Sequence, residues 1–235
     1  MPAGGTGLVL RGLRKEPATI GKWHLGWDLT YKEGKAKTVD NIDFTKRVAN
    51  GPTDRGFDYF YGLTSPSGPP HLYMVNDMAE KQPNTRFEES GGGLYKIKGG
   101  IGHSDWSSDG MQPHLADKML EYLDENKDSD KPFFLYMALT APHIPLFPSK
   151  EFKGKSKIGD YGDLVMMIDD IVGRVNRKLK EIGKYNNTIV MFAADNGCAG
   201  YINMDRINRK GHYPSYIYRG YKSHGWEGGH RIPFI

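Results

Sequence analysis

Cysteine is almost absent from this chain, since Cys198 is the only one among 235 residues. A single thiol excludes an internal disulfide framework and leaves the redox compartment open. Long apolar runs are missing too, because the longest, at residues 132–139, is too short to cross a bilayer. Residues 1–10 show no charged segment followed by an apolar block, so no secretion signal is visible. The sequence therefore predicts a protein without a membrane span.

An excess of charge of one sign is also lacking. The chain has 32 Lys and Arg residues against 28 Asp and Glu residues, which gives a net charge of +4. No block of Lys and Arg occurs, and this argues against a nucleic-acid partner. The mild positive charge is compatible with an anionic substrate. Hydrophobic residues make up 38% of the chain, enough for a buried core.

Two segments have the apolar periodicity of amphipathic helices, residues 112–127 and residues 160–182. The apolar stripe consists of Leu115, Met119, Tyr122 and Leu123 in the first, and of Leu164, Ile168, Ile171, Val175, Leu179 and Ile182 in the second. Gly183 follows the second stripe, where a helix end favours a residue that tolerates positive φ.

A compact apolar segment follows each helix, at residues 132–139 and 188–194. Neither segment alternates between apolar and polar residues, so both are predicted to be strands buried on two faces. The order helix–strand–helix–strand predicts an α/β fold with a mostly parallel central sheet flanked by helices. His143 follows the first strand and Asp195 the second, at the sheet edge where ligands of such folds bind.

Residues 32–110 differ in composition from the rest of the chain, because Gly, Pro, Ser and Asn are frequent there. We expect a loop-rich excursion over the active-site face that carries substrate-selecting loops. Residues 200–225 form a second irregular stretch, with several tyrosines and basic residues.

Asp195 and Asn196 stand side by side at the end of a predicted strand. Carboxylate and amide oxygens are the ligands that a hard divalent cation prefers. The alternative is a plain turn, because Asp-Asn-Gly is also a common loop tripeptide. A metal site would in any case need further ligands from elsewhere.

Lys22 and His24 flank Trp23 in the hexapeptide Gly-Lys-Trp-His-Leu-Gly at residues 21–26. In an extended segment the two side chains point the same way. A lysine can then hold an oxyanion while the histidine moves a proton. A solvated lysine beside a packed histidine is the alternative for the pair taken alone.

His143 lies in Ala-Pro-His-Ile-Pro, where Pro142 and Pro145 restrict the backbone on either side. Rigid placement suits a general acid, which has to reach the leaving group. Lys222 precedes the segment Trp-Glu-Gly-Gly-His-Arg-Ile-Pro at residues 226–233. Taken singly, His143 is an ordinary loop histidine and Lys222 an ordinary exposed lysine. They indicate a catalytic site only in combination with the other motifs.

In this order the motifs resemble the sulfatase family of the alkaline-phosphatase superfamily, over residues 21–235. Gly-Phe-Asp-Tyr-Phe-Tyr-Gly at 56–62 and Lys-Pro-Phe-Phe-Leu-Tyr at 131–136 add to the resemblance. It implies an alkaline-phosphatase-like fold and the hydrolysis of sulfate monoesters. The implied substrate is a small-molecule or carbohydrate sulfate ester, and the implied location is exported: periplasmic, extracellular or lysosomal.

The resemblance also assigns roles to individual residues. Asp195 and Asn196 would be two ligands of a calcium ion. Lys22 and Lys222 would bind the sulfate oxygens and neutralise charge in the transition state. The family's nucleophile is a formylglycine made from a cysteine.

The two histidines would act beside the lysines. His143 would protonate or hydrogen-bond the departing alcohol oxygen, and His24 would contact the formylglycine. Glu227 and Arg231 are expected to brace the turn after Lys222.

Two family motifs do not occur in the sequence, an N-terminal Asp-Asp pair and a Cys-x-Pro-Ser-Arg segment. Cys198 is followed by Ala-Gly-Tyr and does not match that segment. We therefore expect residues 1–235 to be a partial sulfatase catalytic domain, incomplete at both ends. It would lack the N-terminal nucleophile segment and the C-terminal domain, and would be inactive on its own.

Two other functions remain open. A phosphonate monoester or phosphodiester hydrolase of the same superfamily shares the fold and much of the site. The second is a non-catalytic remnant that binds sulfated glycans. Residues 213–222, which are rich in tyrosine and basic side chains, indicate this alternative.

Overall fold

Residues 16–235 are described by a computed structural model of the chain. The strands are β1 (Glu16–Lys22), β2 (Tyr59–Leu63), β3 (Met74–Val75), β4 (Met78–Ala79), β5 (Thr85–Phe87), β6 (Gly100–Gly102) and β7 (Phe133–Ala138). The α-helices are α1 (Met111–Glu125), α2 (Asp160–Glu181), α3 (Met204–Arg209) and α4 (Glu227–His230).

The central sheet has five strands in the order β4-β3-β2-β1-β7. β1 lies in its middle and pairs in parallel with β2, where Ala18 is opposite Tyr59, and with β7, where Ala18 is opposite Leu135. β2, β3 and β4 pair antiparallel, and β5 and β6 form a separate two-stranded sheet. The predicted α/β class is confirmed, with a parallel part of three strands.

Helices α1 and α2 pack together on one face of this sheet. Side chains of β1 and β2 that point to this face, Ala18, Ile20, Tyr61 and Leu63, are buried against Leu115, Met119, Leu164 and Met167 of the helices. The predicted apolar stripes therefore form the main core. Burial of such side chains contributes about 1.5–3 kcal/mol each.

The opposite face of the sheet is covered by loops with short 3-10 turns rather than by helices. Phe60 of β2 points to this side and packs in a second cluster with Trp23, Ile42, Phe44, Val48, Leu72 and Met74. The turns at Val39–Asn41 and Pro52–Arg55 belong to this layer. Among residues 16–235, helices thus flank the sheet on one side only.

Both long helices lie where the periodicity predicts them, within one or two residues. Gly183 has φ +71° directly after the last turn of α2, as the sequence predicts. No helix in the described part of the chain is long and apolar enough to cross a membrane.

The strand predicted at residues 188–194 is wrong. Ile189 and Met191 are 86% and 63% exposed, and the segment forms only an isolated bridge between Ala193 and Phe234. A strand needs a hydrogen-bonded neighbour, and none pairs with 188–191 among residues 16–235. The strand predicted at 132–139 exists as β7, but within residues 16–235 it pairs with β1 alone and lies at the edge of the sheet.

Residues 32–110 contain more of the fold than a loop excursion. β2 lies within them and is a strand of the parallel core, which the sequence interpretation missed. Much of the remaining segment is irregular, and Leu72, Tyr73 and Trp106 anchor it by burial. The substrate-selecting role of its loops stays a prediction.

Candidate active site

Lys22 and His24 emerge at the C-terminal end of β1. The buried Trp23 between them fixes this segment, because its backbone N–H donates to the carbonyl oxygen of Leu63 at 2.9 Å. Its indole Nε1 donates to the carbonyl oxygen of Gly26 at 3.2 Å. Lys22 is half-buried and His24 is exposed, so both can face a ligand at the sheet edge.

A glycine precedes Lys22 because the strands approach one another closely here. Gly21 has φ +130°, and a Cβ atom on it would lie 2.0 Å from the carbonyl oxygen of Ala138 in β7. On the other side, a Cβ atom on Gly62 of β2 would lie 1.8 Å from the carbonyl oxygen of Gly21. The ends of three parallel strands are therefore held together directly below the lysine.

His143 follows β7 between two cis peptide bonds, Ala141-Pro142 and Ile144-Pro145. Its Nδ1 lies 2.6 Å from the carbonyl oxygen of Ile144. A carbonyl oxygen only accepts, so Nδ1 carries a proton and Nε2 is left for a ligand. The ring of Tyr201 packs edge-on against the imidazole with centroids 6.4 Å apart.

Asp195 and Asn196 lie on a loop that contacts the turn at α4. The N–H of Gly197 donates to the carbonyl oxygen of Gly229 at 2.9 Å. A Cβ atom on Gly197 would lie 1.9 Å from the carbonyl oxygen of Gly228, so only glycine fits this contact. The amide Nδ2 of Asn196 donates to the carbonyl oxygen of Gly197 at 3.0 Å.

Lys222 is placed by the same loop, because its backbone N–H donates to the carbonyl oxygen of Cys198 at 2.8 Å. The N–H of Gly228 donates in turn to the carbonyl oxygen of Arg219 at 2.9 Å. Arg231 forms an exposed ion pair with Glu227 across one helical turn at 3.1 Å, and the bracing of the turn after Lys222 stays a prediction. Segments distant in sequence are thus joined by backbone hydrogen bonds.

The charges of these residues act on one another. Burial lowers the pKa of Lys22, the positive charge of Lys222 lowers it further, and the carboxylate of Asp195 opposes the change. The pKa of His24 is lowered by burial and by the same two lysines. The structure therefore brings Lys22, Lys222 and His24 within electrostatic reach of one another, and Asp195 within reach of Lys22.

The pKa of His143 is lowered as well, first by burial and then by the charges of Lys22 and Lys222. The hydrogen bond to the Ile144 carbonyl and the carboxylate of Asp195 oppose this change. The two ammonium groups repel one another and disfavour protonation of the two imidazoles, and an anion bound between them would relieve both effects. The arrangement suits a small oxyanion.

The predicted calcium ligands supply only part of a metal site. Asp195 is exposed, Asn196 is half-buried, and together they offer one carboxylate and one amide oxygen. Calcium takes six to eight oxygen ligands. Within residues 16–235, no group of three or more His, Cys, Asp or Glu side chains is arranged to hold a metal ion. These residues alone therefore do not fit a complete calcium site.

The thiol of Cys198 has an environment unlike that of a nucleophile. It is half-buried, and its Sγ lies 3.5 Å from the hydroxyl oxygen of Tyr161. Burial raises the pKa of the Cys198 thiol, which keeps it neutral.

The sequence did not identify two aromatic residues that lie beside the site. Tyr201 contacts His143, and Tyr161 contacts Cys198. Tyr161 stands at the start of a helix beside the apolar stripe, so its sequence context indicates core packing. Tyr201 lies in an irregular tyrosine-containing stretch that gives no spacing to single it out.

Comparison with known proteins places these features in a family. A family model described as Sulfatase matches residues 9–235. An N-acetylgalactosamine-6-O-sulfatase of Bacteroides thetaiotaomicron is 29% identical, with 92% of this chain and 47% of the relative covered. An arylsulfatase of Hemicentrotus pulcherrimus is 30% identical, with 92% of this chain and 34% of the relative covered.

Solved structures agree with the sequence matches. A Bacteroides thetaiotaomicron sulfatase described with the metabolism of multiple glycosaminoglycans has a TM-score of 0.78 and 26% identity, over 97% of this chain and 53% of that one. The PsFucS1 sulfatase of Pseudoalteromonas sp. shares the fold, with a TM-score of 0.65 at 24% identity over 97% of this chain and 43% of that one. The chain spans half or less of the curated relatives named above. With a family model that matches nearly its whole length, this chain belongs to the sulfatase family.

Proposed function

We propose that the protein carrying these residues hydrolyses sulfate monoesters. Residues 1–235 would supply the anion-binding and leaving-group side of its active site. The observation that carries this proposal is that Lys22, His24 and His143 lie at the ends of the parallel strands within electrostatic reach of Lys222, with Asp195 in reach of Lys22 and His143. Membership of the sulfatase family supports the same reaction.

Lys22 and Lys222 are proposed to bind the sulfate oxygens. When the S–O bond to the alcohol breaks, negative charge shifts among the sulfuryl oxygens and the leaving oxygen. Fixed ammonium groups stabilise that charge without rearranging during the reaction. Half-burial of both lysines strengthens the attraction, because water screens them less.

His143 is proposed to act on the leaving alcohol oxygen. Its Nδ1–H is committed to the carbonyl oxygen of Ile144, so Nε2 is the atom that faces a substrate. A ring protonated at both nitrogens donates from Nε2 to the leaving oxygen. The neighbouring lysine charges disfavour that protonated ring, and the bound sulfate anion offsets them. His24, beside Lys22, is proposed to exchange a proton on the other side of the sulfate.

Two further components belong to this proposal. Asp195 and Asn196 would be two ligands of the calcium ion implied by the family, with its other ligands from elsewhere. Formylglycine would be the nucleophile of the whole protein. The sequence contains no Cys-x-Pro-Ser-Arg segment, and Cys198 is a half-buried thiol whose pKa is raised by burial. We therefore propose that this chain alone does not turn over sulfate esters, and an assay of the purified chain on an aryl sulfate checks this.

The proposed substrate class is a carbohydrate sulfate. Several relatives from mammals and Bacteroides carry the name N-acetylgalactosamine-6-sulfatase or its 6-O-sulfatase form. The family resemblance implies an exported location, and this location is compatible with a carbohydrate sulfate as the substrate.

The test is a comparison of rates on matched esters, made with the whole protein. We expect hydrolysis of 4-nitrophenyl sulfate with a higher kcat/KM than of 4-nitrophenyl phenylphosphonate. Lys222→Ala is expected to lower kcat by about 10²–10³, the usual loss when one donor to a developing anion is removed. Lys37→Ala is the matched control, because Lys37 is an exposed lysine outside the site.

Either of two results would overturn the proposal. One is a preference for the phosphonate ester, which would favour a phosphonate monoester or phosphodiester hydrolase. The other is an equal effect of the Lys222 and Lys37 substitutions, which would place Lys222 outside the reaction.

A further inference from the structure

Gln112 lies in the first turn of α1 and is almost completely buried, although its side chain is polar. It is 2% exposed, and it does not belong to the apolar stripe of the helix. We propose that Gln112 is a positioning residue, which holds the turn at residues 140–143 so that Nε2 of His143 faces the leaving oxygen of the sulfate ester. This inference rests on the role proposed for His143.

The first turn of α1 is fixed against the sheet. Met111 and Leu115, on either side of Gln112 in the helix, are 3% and 0% exposed and belong to the main core. That core includes Ala18 and Ile20 of β1, the strand that ends at Lys22. Because the core is closely packed, a polar side chain on this turn of α1 has a fixed position relative to the strand ends.

The amide of Gln112 faces the backbone that follows β7. The N–H groups of Thr140 and Ala141 point to it, and an N–H only donates, so the amide oxygen Oε1 occupies this position rather than the nitrogen. Oε1 accepts the N–H of Ala141 at 2.6 Å and the N–H of Thr140 at 3.1 Å. The hydroxyl of Thr140, which is itself 5% exposed, contacts the same amide. Gln112 thus binds two consecutive residues of the turn.

These hydrogen bonds have no substitute in the backbone. The pairing of β7 with β1 ends at Ala138, and within residues 16–235 neither the N–H of Thr140 nor that of Ala141 donates to a backbone oxygen. A donor that is removed from water needs an acceptor. We therefore expect the turn to change its conformation when Oε1 is lost.

His143 is attached to the other end of this turn. Its backbone N–H donates to the carbonyl oxygen of Thr140 at 3.0 Å. Its Nδ1–H is held by the carbonyl oxygen of Ile144, so the ring moves with the backbone on either side of it. A shift of Thr140 therefore displaces Nε2, and a displacement of about 1 Å can lower the rate of a reaction step about 10²-fold.

The experiment compares three substitutions of Gln112. Gln112→Met keeps the length of the side chain and removes the oxygen, whereas Gln112→Glu keeps an oxygen at the same place. Gln112→Asn is a milder variant, which withdraws the oxygen by one methylene group. Leu123→Ala is the control for a loss of stability without a change at the turn, because Leu123 is buried near the other end of α1, about 16 Å from Gln112 along the helix axis.

Two readouts follow the reaction and the turn separately. Kinetics of the whole protein would compare phenyl sulfate with 4-nitrophenyl sulfate. Phenolate is the poorer leaving group, so its departure depends more on a proton from His143. Proton NMR of the chain would follow the imidazole C–H signals of His143 and His24, and this readout needs no activity.

We expect Gln112→Met to lower kcat/KM about tenfold or more for phenyl sulfate and less than about threefold for 4-nitrophenyl sulfate. Gln112→Asn should show the same preference with a smaller loss, and Gln112→Glu should restore most of the rate on phenyl sulfate. The NMR signal of His143 should shift in Gln112→Met and stay in place in Leu123→Ala, while that of His24 stays in place in both.

Either of two results would overturn the inference. One is a loss of kcat/KM in Gln112→Met by the same factor for both esters, which would show that Gln112 supports stability alone. The other is an unchanged His143 signal in Gln112→Met and Gln112→Asn. A failure of the proposed function looks different, because the unmodified whole protein would then hydrolyse neither ester while the His143 signal still reported on the turn.

Discussion

Gly21 lies at the end of β1 between β2 and β7, where its missing side chain lets β7 approach closely. Its φ of +130° is unfavourable for any residue with a Cβ atom, and that atom would lie 2.0 Å from a backbone oxygen. Because the opposing atom belongs to the main chain of β7, it cannot turn away like a flexible side chain. The position of Lys22 therefore depends on this glycine.

We expect Gly21→Ala to destabilise the protein by about 3 kcal/mol or more, from backbone strain and the clash together. Gly34→Ala is the matched control. Gly34 also has positive φ, +68°, but a Cβ atom there meets nothing within 4 Å, so only the strain of about 1–2 kcal/mol applies. Urea unfolding of both variants checks this, and equal losses would contradict the role of the close approach.

Sequence reasoning singled out Lys22, His24, His143, Asp195, Asn196 and Lys222, because each stands in a short motif of unusual composition. That these residues lie close together was predictable for two reasons only. His143 and Asp195 follow predicted strands, and the motifs resemble those of the sulfatase family. The contact of His143 with the Ile144 carbonyl was not, because it depends on the backbone conformation between two prolines. Contacts through space, such as that of Tyr201 with His143, leave no periodicity in the sequence.

At the scale of elements, Asp163 of α2 fixes the loop that precedes the helix. Its carboxylate is fully buried and accepts the N–H groups of Gly154 and Ser156 at 2.7 and 2.5 Å. A buried carboxylate is stabilised by such donors, and the donors in turn lose contact with water. This pairing holds the loop that carries Lys153 against the start of α2.

Asp163→Ala is expected to cost about 3 kcal/mol, since hydrogen bonds to a charged group contribute about 1.5–3 kcal/mol each. The same change should make residues 152–158 more sensitive to proteases. Asp169→Ala serves as the control on the same helix, because Asp169 is exposed and should change stability by less than about 0.5 kcal/mol. A similar loss of stability in both variants would show that the buried pairing is not what holds the loop.

Helices and strands differed in how well the sequence predicted them. A helix such as α2 buries one stripe of its own length, so a local pattern is enough to find it. A strand is buried only if others pair with it, and residues 188–191 show that an apolar run without paired neighbours stays exposed. β1 and β2 were missed for the opposite reason, because glycines and aromatic residues in them obscure a simple alternation.

At the scale of the whole molecule, histidines couple stability to pH. His24, His71, His114 and His143 all have a pKa lowered first by burial. The unfolded chain, with a histidine pKa near 6.5, binds protons before the folded one does. The free energy of unfolding is therefore greatest above pH 6.5 and falls as the pH drops below it.

His71 should contribute strongly to this acid sensitivity, since it is 1% exposed. Its Nε2 lies 2.7 Å from the carbonyl oxygen of Lys98, and Nδ1 has no hydrogen-bond partner among the described residues. We expect Tm to decrease between pH 7 and pH 5, with a smaller decrease in His71→Gln, which keeps a donor near the Nε2 position. Calorimetry at the two pH values measures both, and an identical decrease in the variant would refute the assignment.

The central claim is that Lys22, His24, His143 and Lys222 share one anion site, and the most direct measurement is the pKa of its two histidines. Proton NMR titration of the imidazole C–H signals would follow them in the unmodified chain, in Lys22→Met and in the exposed control Lys37→Met. Removal of the Lys22 charge is predicted to raise the pKa of both His24 and His143, while Lys37→Met leaves both unchanged. If neither pKa moves in Lys22→Met, the lysine and the histidines do not share a site.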